Sequence, residues 1–498
     1  MNRRHLIEGL AGLLGSALSR ATPALSRRAE TKAVHVTIDT RRKLGRIADD
    51  FTGLGYEISS VAIPGLLSDK NHAYVQLVRA LGANGVIRIG GITSDSASFA
   101  PNAVASAAAK AAVINGGNLR ALGRFLDATG WRLIWGLNLG SRDVKNAADE
   151  AVAVTAAVKD KLLAFEVGNE PDGFAGDAFN SLRPKSYGYD DYLKEYRAYK
   201  AVIRDKLPDA PFAGPDASWA TDWVSRFAAD EGRDLKLLTR HYYRAGANNP
   251  YLDKLFGSNR SPDYEARRSD NKIGLLMQTD TGIRAMLQQL SAAAAAAHVP
   301  FRICEANSFY AGGQPGASDV FASALWVLDF MWTMASGGAA GVNMQTGFNH
   351  LDFVSYYSPI RNDANGRPSV APEYYGMLAF AQANQGVRIA LDYDTGGVNL
   401  NAYAVVDDRG HLALTVINKD QNADADVTIA VDRSYRKAAA LRLMGQALHR
   451  ADNVTLGGAE VSANGRWWPA QVEPLPIIGG RCDVRVSAGS AVVVKWSA

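Results

Sequence analysis

Between residues 50 and 350, short and almost wholly apolar runs alternate with longer helix-like segments. The runs are FTGLGYEIS (51–59), GVIRIGG (85–91), RLIWGLNL (132–139), LLAFEVGNE (162–170), PFAGPD (211–216), LKLLTRHYY (235–243), PFRICEANS (301–308) and GVNMQTG (341–347). Near-continuous apolar runs of this length are the pattern of strands buried on both faces of a parallel sheet. The segments between them, such as DDYLKEYRAYKAVIRDKL and TGIRAMLQQLSAAAAAAH, read as helices. Eight such units in order predict an α/β fold, a (β/α)8 barrel over residues 49–374.

After about residue 375 the pattern changes to short alternating strands. LNAYAVVDDRGHLALTVINKD reads as a hairpin turning at Asp407–Gly410, and ADVTIAVD, QVEPLPI, DVRVSAG and SAVVVKWS continue in the same way. A C-terminal antiparallel β-sandwich over 375–498 is therefore expected. AVHVTID (33–39), which precedes the barrel, alternates Val34, Val36 and Ile38 with polar residues. The segment 31–48 is thus predicted to supply an N-terminal strand that packs with the sandwich. Residues 1–30, with Arg3–Arg4 ahead of a weakly apolar stretch and small residues, have the layout of a twin-arginine export signal. They imply a periplasmic or extracellular location.

The bulk properties narrow the field. A chain of 498 residues exceeds the size at which one core stops growing, consistent with two units. Its net charge of +4 comes without a dense Lys/Arg run, which argues against nucleic-acid binding. No segment approaches the ~18 apolar residues needed to span a bilayer. Cys304 and Cys482 form no CxxC pair, and the eight histidines make no HExxH, so neither a disulfide framework, a zinc site nor metal catalysis is expected. Cys304 reads as a buried free thiol. No cofactor fingerprint is present, and a monomer fits the sequence.

Chemistry gathers at the C-terminal ends of the predicted strands: Glu57, Asp95, Asn138, Asn169–Glu170, Asp216, His241–Tyr243 and Glu305. In barrel enzymes that edge carries the active site. Within LLAFEVGNEPD, Glu170 closes a buried run, where desolvation would raise its pKa as a general acid requires. It would equally serve as a helix cap or a structural ion pair. Glu305, at the end of the seventh run, changes the balance. Two carboxylates on opposite strand ends can face one pocket, and retaining glycoside hydrolysis needs such a pair ~5–5.5 Å apart.

NEP ending the fourth strand and a second Glu ending the seventh resemble the large barrel clan of retaining glycoside hydrolases. The wider set RIGGITSD (88–95), FEVGNEPD, HYY (241–243) and CEANSFYAGG (304–313) resembles glycoside hydrolase family 79, which contains bacterial β-glucuronidases and heparanases. The resemblance covers nearly all of the chain after the signal. It implies Glu170 as acid/base, Glu305 as nucleophile, Asn169 at the sugar 2-hydroxyl, and Tyr243 beside the nucleophile. It further implies that Tyr310 and the backbone N–H groups of Ala311, Gly312 and Gly313 hold the substrate carboxylate, together with Tyr357 or its neighbour Tyr356. Glu57 and Asp95 would bind the 3- and 4-hydroxyls, although Asp95 also reads as an N-cap. His241 reads as a supporting histidine, and Trp219 and Trp223 as packing or as a rim for distal sugars.

The expected activity is double-displacement hydrolysis of terminal β-linked glucuronic acid from an oligosaccharide or glycoside. An endo-acting, heparanase-like enzyme is the alternative, with Arg260, Arg267 and Arg268 of the 248–271 loop as a basic rim. A catalytically silent sugar-binding protein on the same scaffold is the third reading.

Overall fold

The eight apolar runs close into a ring. In the computed structural model, which describes residues 30–108, 111–176, 181–247, 272–347, 355–362 and 367–497, they form a closed barrel of eight parallel strands in chain order. These are Thr52–Glu57, Val86–Gly90, Arg132–Leu137, Leu162–Val167, Phe212–Ala217, Leu235–Gly246, Phe301–Tyr310 and Val342–Gln345. The last pairs with the first, Val342 opposite Thr52, and closes the barrel. Every residue of the first, second and fifth strands is buried, because the filled interior lies on one side and helices cover the other.

The connecting helices form where apolar residues recur on one face. Gly116–Thr129 buries Leu119, Leu122, Phe125 and Leu126. Asn115 caps its start by accepting from the Asn118 N–H, and Gly130, at φ 81°, ends it in the left-handed conformation. Tyr189–Lys206 buries Tyr192, Tyr196, Tyr199 and Ile203 in the same way. Phe321–Ser336 differs, being buried nearly all round. It lies between the barrel and the C-terminal sheet, where Asp329 accepts hydrogen bonds from Asn401 (2.7 Å), Tyr403 (2.9 Å) and Lys419 (2.6 Å). Trp332 of this helix stacks on Tyr403 with ring centroids 5.3 Å apart.

The strands from Val387 onward, with Glu30–Arg46, make one ten-stranded sheet. The predicted hairpin is present as Leu400–Val406 against Leu412–Asn418, in the register Val406 opposite Leu412. Val34, Val36 and Ile38 are buried in alternation, as predicted, in a core shared with Val416, Val427 and Trp496. The strands of the expected sandwich form one continuous sheet curled over its own core. In addition, Glu30–Arg46 runs antiparallel to Val387–Asp394 but parallel to Ala423–Val431. Those two neighbours run in opposite directions, so a strand inserted between them must be parallel to one.

No described helix is long and apolar enough to cross a membrane. The export signal read over residues 1–30 lies, apart from Glu30, outside the described residues, as do Arg260, Arg267 and Arg268.

Candidate active site

Arg88 sits in the middle of the second barrel strand and is wholly buried. An arginine there is tolerable only if its charge and donors are matched, and four residues match them. Its Nε donates to Glu166 Oε2 (3.1 Å), Nη1 to Glu305 Oε2 (2.6 Å), and Nη2 to both Asn169 Oδ1 (2.9 Å) and Asp216 Oδ2 (2.5 Å). One side chain from strand two thus ties together strands four, five and seven. Glu166 is pushed up to about 7 by burial and by the negative charge of Asp216.

Glu170 follows the fourth strand in a left-handed conformation, φ 52° and ψ 50°. For a residue with a Cβ this is strained, and the backbone holds it by donating the Glu170 N–H to the Asp216 carbonyl at 3.0 Å. Asp216 is itself left-handed, at φ 60°. His241 bridges the two side chains, with Nδ1 2.8 Å from Glu170 Oε1 and Nε2 2.8 Å from Asp216 Oδ1. Burial opposes a charge on this imidazole, but Asp216 and Glu305 outweigh it and hold its pKa well above the ordinary histidine value. Each ring nitrogen thus faces one carboxylate. Glu170 is raised above the usual carboxylate range by desolvation, with His241 opposing and Glu305 adding to the rise. Asp216 is held below that range because Arg88 and His241 overcome its burial.

Both oxygens of Glu305 are fixed. Arg88 holds Oε2, and the Tyr243 hydroxyl donates to Oε1 at 2.7 Å. Strand register sets this contact: His241 lies opposite Glu305, and Tyr243 opposite Asn307. One oxygen of Glu170, one nitrogen of His241 and one oxygen of Glu305 all lie within 4.8 Å of one another. The two carboxylates named from the sequence therefore face a single space.

Glu57 and Tyr357 flank that space. Glu57 accepts from the Thr93 N–H (2.9 Å), the Thr93 hydroxyl (2.8 Å) and Gln345 Nε2 (3.2 Å). Burial and the charge of Glu305 raise its pKa to about 7. Gly91, at φ +73°, is required beneath it, since a Cβ there would lie 2.3 Å from the Glu57 carboxyl carbon. Tyr357 lies within the field of Glu305 and Glu57, with its ring 6.1 Å from that of Tyr243. Tyr356 uses its N–H on the Gly312 carbonyl.

Some expected ligands are engaged elsewhere. Asp95 accepts from the Leu139 (3.0 Å), Gly140 (3.1 Å) and Asn169 (3.0 Å) N–H groups. It thereby braces Asn169. The Gly313 N–H donates to the Phe309 carbonyl at 3.1 Å, so it is not available to an anion. Gly313 is instead needed for packing, because a Cβ would meet the Tyr357 nitrogen at 2.6 Å. Ala311 and Gly312 also have positive φ, 70° and 80°, and complete this left-handed turn. Tyr310 stands edge-on to Trp219 (5.6 Å) and Tyr243 (6.3 Å). Trp223 packs on Tyr192, whereas Trp219 is 50% exposed.

Asp216, His241 and Cys304 offer ligand atoms within 4.8 Å of one another, the spacing a metal would need. Their chemistry fits an ion poorly. Both His241 nitrogens already serve carboxylates, Arg88 supplies positive charge to Asp216, and burial pushes the Cys304 thiol up, away from a thiolate. Cys304 instead donates its S–H to Asp216 Oδ1 at 2.8 Å. A cleft of about 140 Å³ opens beside Glu170, His241 and Tyr243, with Trp219 and Tyr242 in its wall.

This constellation can be compared with known proteins. No family model matches the chain. It is 25% identical over 399 residues to a β-glucuronidase of Aspergillus niger, covering 74% of this chain and 69% of that one. A β-glucuronidase of Neurospora crassa is 28% identical over 271 residues, about half of either chain (50% and 46%). The chain is similar to β-glucuronidases. Among solved structures, a 4-O-α-L-rhamnosyl-β-D-glucuronidase from Fusarium oxysporum superimposes with a TM-score of 0.71 at 18% identity, covering 92% of this chain and 99% of that one. A family 51 arabinofuranosidase from Xanthomonas axonopodis gives 0.65 at 15% identity, covering 94% and 100%. These likenesses establish the fold, a barrel with a C-terminal sheet as in glycoside hydrolases.

Sequence reasoning assigned no role to Arg88, Glu166 or Asp216. The signal for Arg88 was its position: an arginine in mid-run of GVIRIGG can be buried only against carboxylates. Glu166, in LLAFEV, was the corresponding clue on the fourth strand.

Proposed function

We propose that the chain is a retaining β-glucuronidase of glycoside hydrolase family 79 that removes terminal β-linked glucuronic acid. The observation that carries this reading is the approach of Glu170 and Glu305 oxygens to within 4.8 Å. Oxygens this close are in keeping with a retaining pair ~5–5.5 Å apart rather than an inverting pair ~6.5–9.5 Å apart. The Glu305 carboxylate attacks the anomeric carbon as the bond to the leaving oxygen breaks, and Glu170 gives that oxygen its proton. Water then attacks the glucuronyl-enzyme ester while Glu170 takes the water's proton, releasing Glu305. Glu170 suits both halves of the cycle. His241 donates to its Oε1, leaving Oε2 to carry the proton, and desolvation keeps its pKa raised. Tyr243 and Arg88 orient the nucleophile.

Similarity to the two fungal β-glucuronidases supports glucuronic acid as the sugar. Asn169 at the 2-hydroxyl, Glu57 at the ring hydroxyls, and Tyr357 with Tyr310 at the substrate carboxylate complete the reading. The twin-arginine-like segment supports a location outside the cytoplasm for this activity. Proton NMR of the first product tests it: release of β-glucuronic acid ahead of mutarotation is expected, and initial α-glucuronic acid would overturn the retaining mechanism.

A further inference from the structure

The cleft opens beside Glu170, and a general acid works next to the departing oxygen, so the lining of this cleft bears on the leaving group. We infer that this cleft is a leaving-group subsite built around Trp219, selecting a neutral group with a flat apolar face, an aryl aglycone or a neutral pyranose, over a sulfated sugar. The inference rests on the glucuronidase reading above and deepens it.

Three observations carry it. First, Trp219 is half-exposed at the cleft while its backbone is locked to the acid. Asp172, two residues after Glu170, accepts from the N–H groups of Ser218 (2.8 Å), Trp219 (2.9 Å) and Ala220 (3.0 Å). The Trp219 carbonyl accepts from Arg240 Nη2 at 3.2 Å, and its ring stands edge-on to Tyr310. A group stacked on the indole is thereby held in register with Glu170. Second, Tyr242, Ile283 and Met286 continue the lining, and such surfaces pair with aromatic rings or the C–H face of a sugar.

Third, the cations around the cleft are already engaged. Among the described lining residues they are Arg240 and His241. Arg240 is turned inward, donating to Thr221 Oγ1 (2.9 Å), the His241 carbonyl (2.6 Å) and the Trp219 carbonyl, and His241 sits between two carboxylates. Asp280, in the same wall, accepts from Tyr242 and lies 4.0 Å from Arg244 Nη1, so that cation is matched as well.

The test compares kcat/KM on four β-glucuronides: methyl, 4-nitrophenyl, glucuronyl-galactose and glucuronyl-6-O-sulfoglucosamine. Wild type should turn over the sulfated disaccharide at least about tenfold less efficiently than the neutral one. Trp219→Ala should lower the ratio of aryl to methyl efficiency about tenfold, and Trp219→Phe should restore most of it. A matching fall for the galactoside would assign the platform to sugars as well; a fall for the aryl substrate alone would assign it to aryl aglycones. An equal loss on methyl and aryl substrates would reduce Trp219 to a loop anchor, and a wild-type preference for the sulfated disaccharide would also overturn the inference. If wild type hydrolyses none of the four, the glucuronidase reading itself fails.

Discussion

Arg88, buried in the second strand, donates to Glu305 at the other side of the barrel mouth at 2.6 Å. The same guanidinium also serves Glu166, Asn169 and Asp216, so the position of Glu305 and the packing of four strands depend on one side chain.

Replacing Arg88 should therefore damage stability and catalysis together. Arg88→Met leaves Glu166, Asp216 and Glu305 without their buried counter-charge, a loss of about 3–5 kcal/mol. Arg88→Lys keeps the charge but cannot present a planar fork to several acceptors. It should fold better than Arg88→Met yet remain impaired in kcat. Denaturant unfolding and steady-state kinetics on one aryl glucuronide check both parts; a Lys variant with wild-type kcat would show that the geometry is dispensable.

The pH profile should respond to His241 in a defined direction. The His241 hydrogen bond and charge lower the Glu170 pKa, opposing desolvation. Removing them in His241→Gln should raise that pKa and move the basic limb of kcat/KM to higher pH, alongside a fall in maximal rate. A basic limb that stays in place or moves down would separate that limb from Glu170.

Glu150 makes an independent prediction about stability. It is buried on the helix Val144–Val158, accepts from Trp135 Nε1 at 3.2 Å, and burial raises its pKa to about 8. A carboxyl raised on folding stabilises the protein most below its unfolded pKa, and that contribution disappears as pH rises through the folded value. Glu150→Gln keeps the acceptor for Trp135 and removes the titration. Its melting temperature should match wild type near pH 5 and exceed it near pH 9; a uniform shift at both would contradict the assignment.

The Asp329 contacts join the barrel's penultimate helix to the C-terminal sheet. Asp329→Ala strands Lys419, whose side chain is 2% exposed and whose carboxylate partner is Asp329. A loss of about 3 kcal/mol is expected, within the range for breaking a buried pair. Asp329→Ala with Lys419→Met should recover much of it, as unfolding curves would show.

The barrel was legible because burial on both faces leaves a strand almost wholly apolar except at its ends. Glu57, Glu170 and Glu305 stood out for the same reason. Arg88 did not, since a charged residue inside an apolar run is interpretable only once its partners, at residues 166, 216 and 305, are known to be adjacent. The bracing of Asp95 was not legible, because nothing local shows that three backbone amides converge on it from two other loops. The parallel pairing of Glu30–Arg46 was hidden likewise: alternation of Val34, Val36 and Ile38 fixes which face is buried, but not which neighbours flank the strand.

The central claim is that Glu305 forms a covalent bond to the sugar while Glu170 handles the proton. Incubation with 2-deoxy-2-fluoro-β-glucuronyl fluoride, followed by proteolysis and mass spectrometry, tests it directly. A fluoroglucuronyl adduct on Glu305, absent in Glu305→Gln, is the predicted result. An adduct on another carboxylate, or turnover with inversion and no adduct, would contradict it.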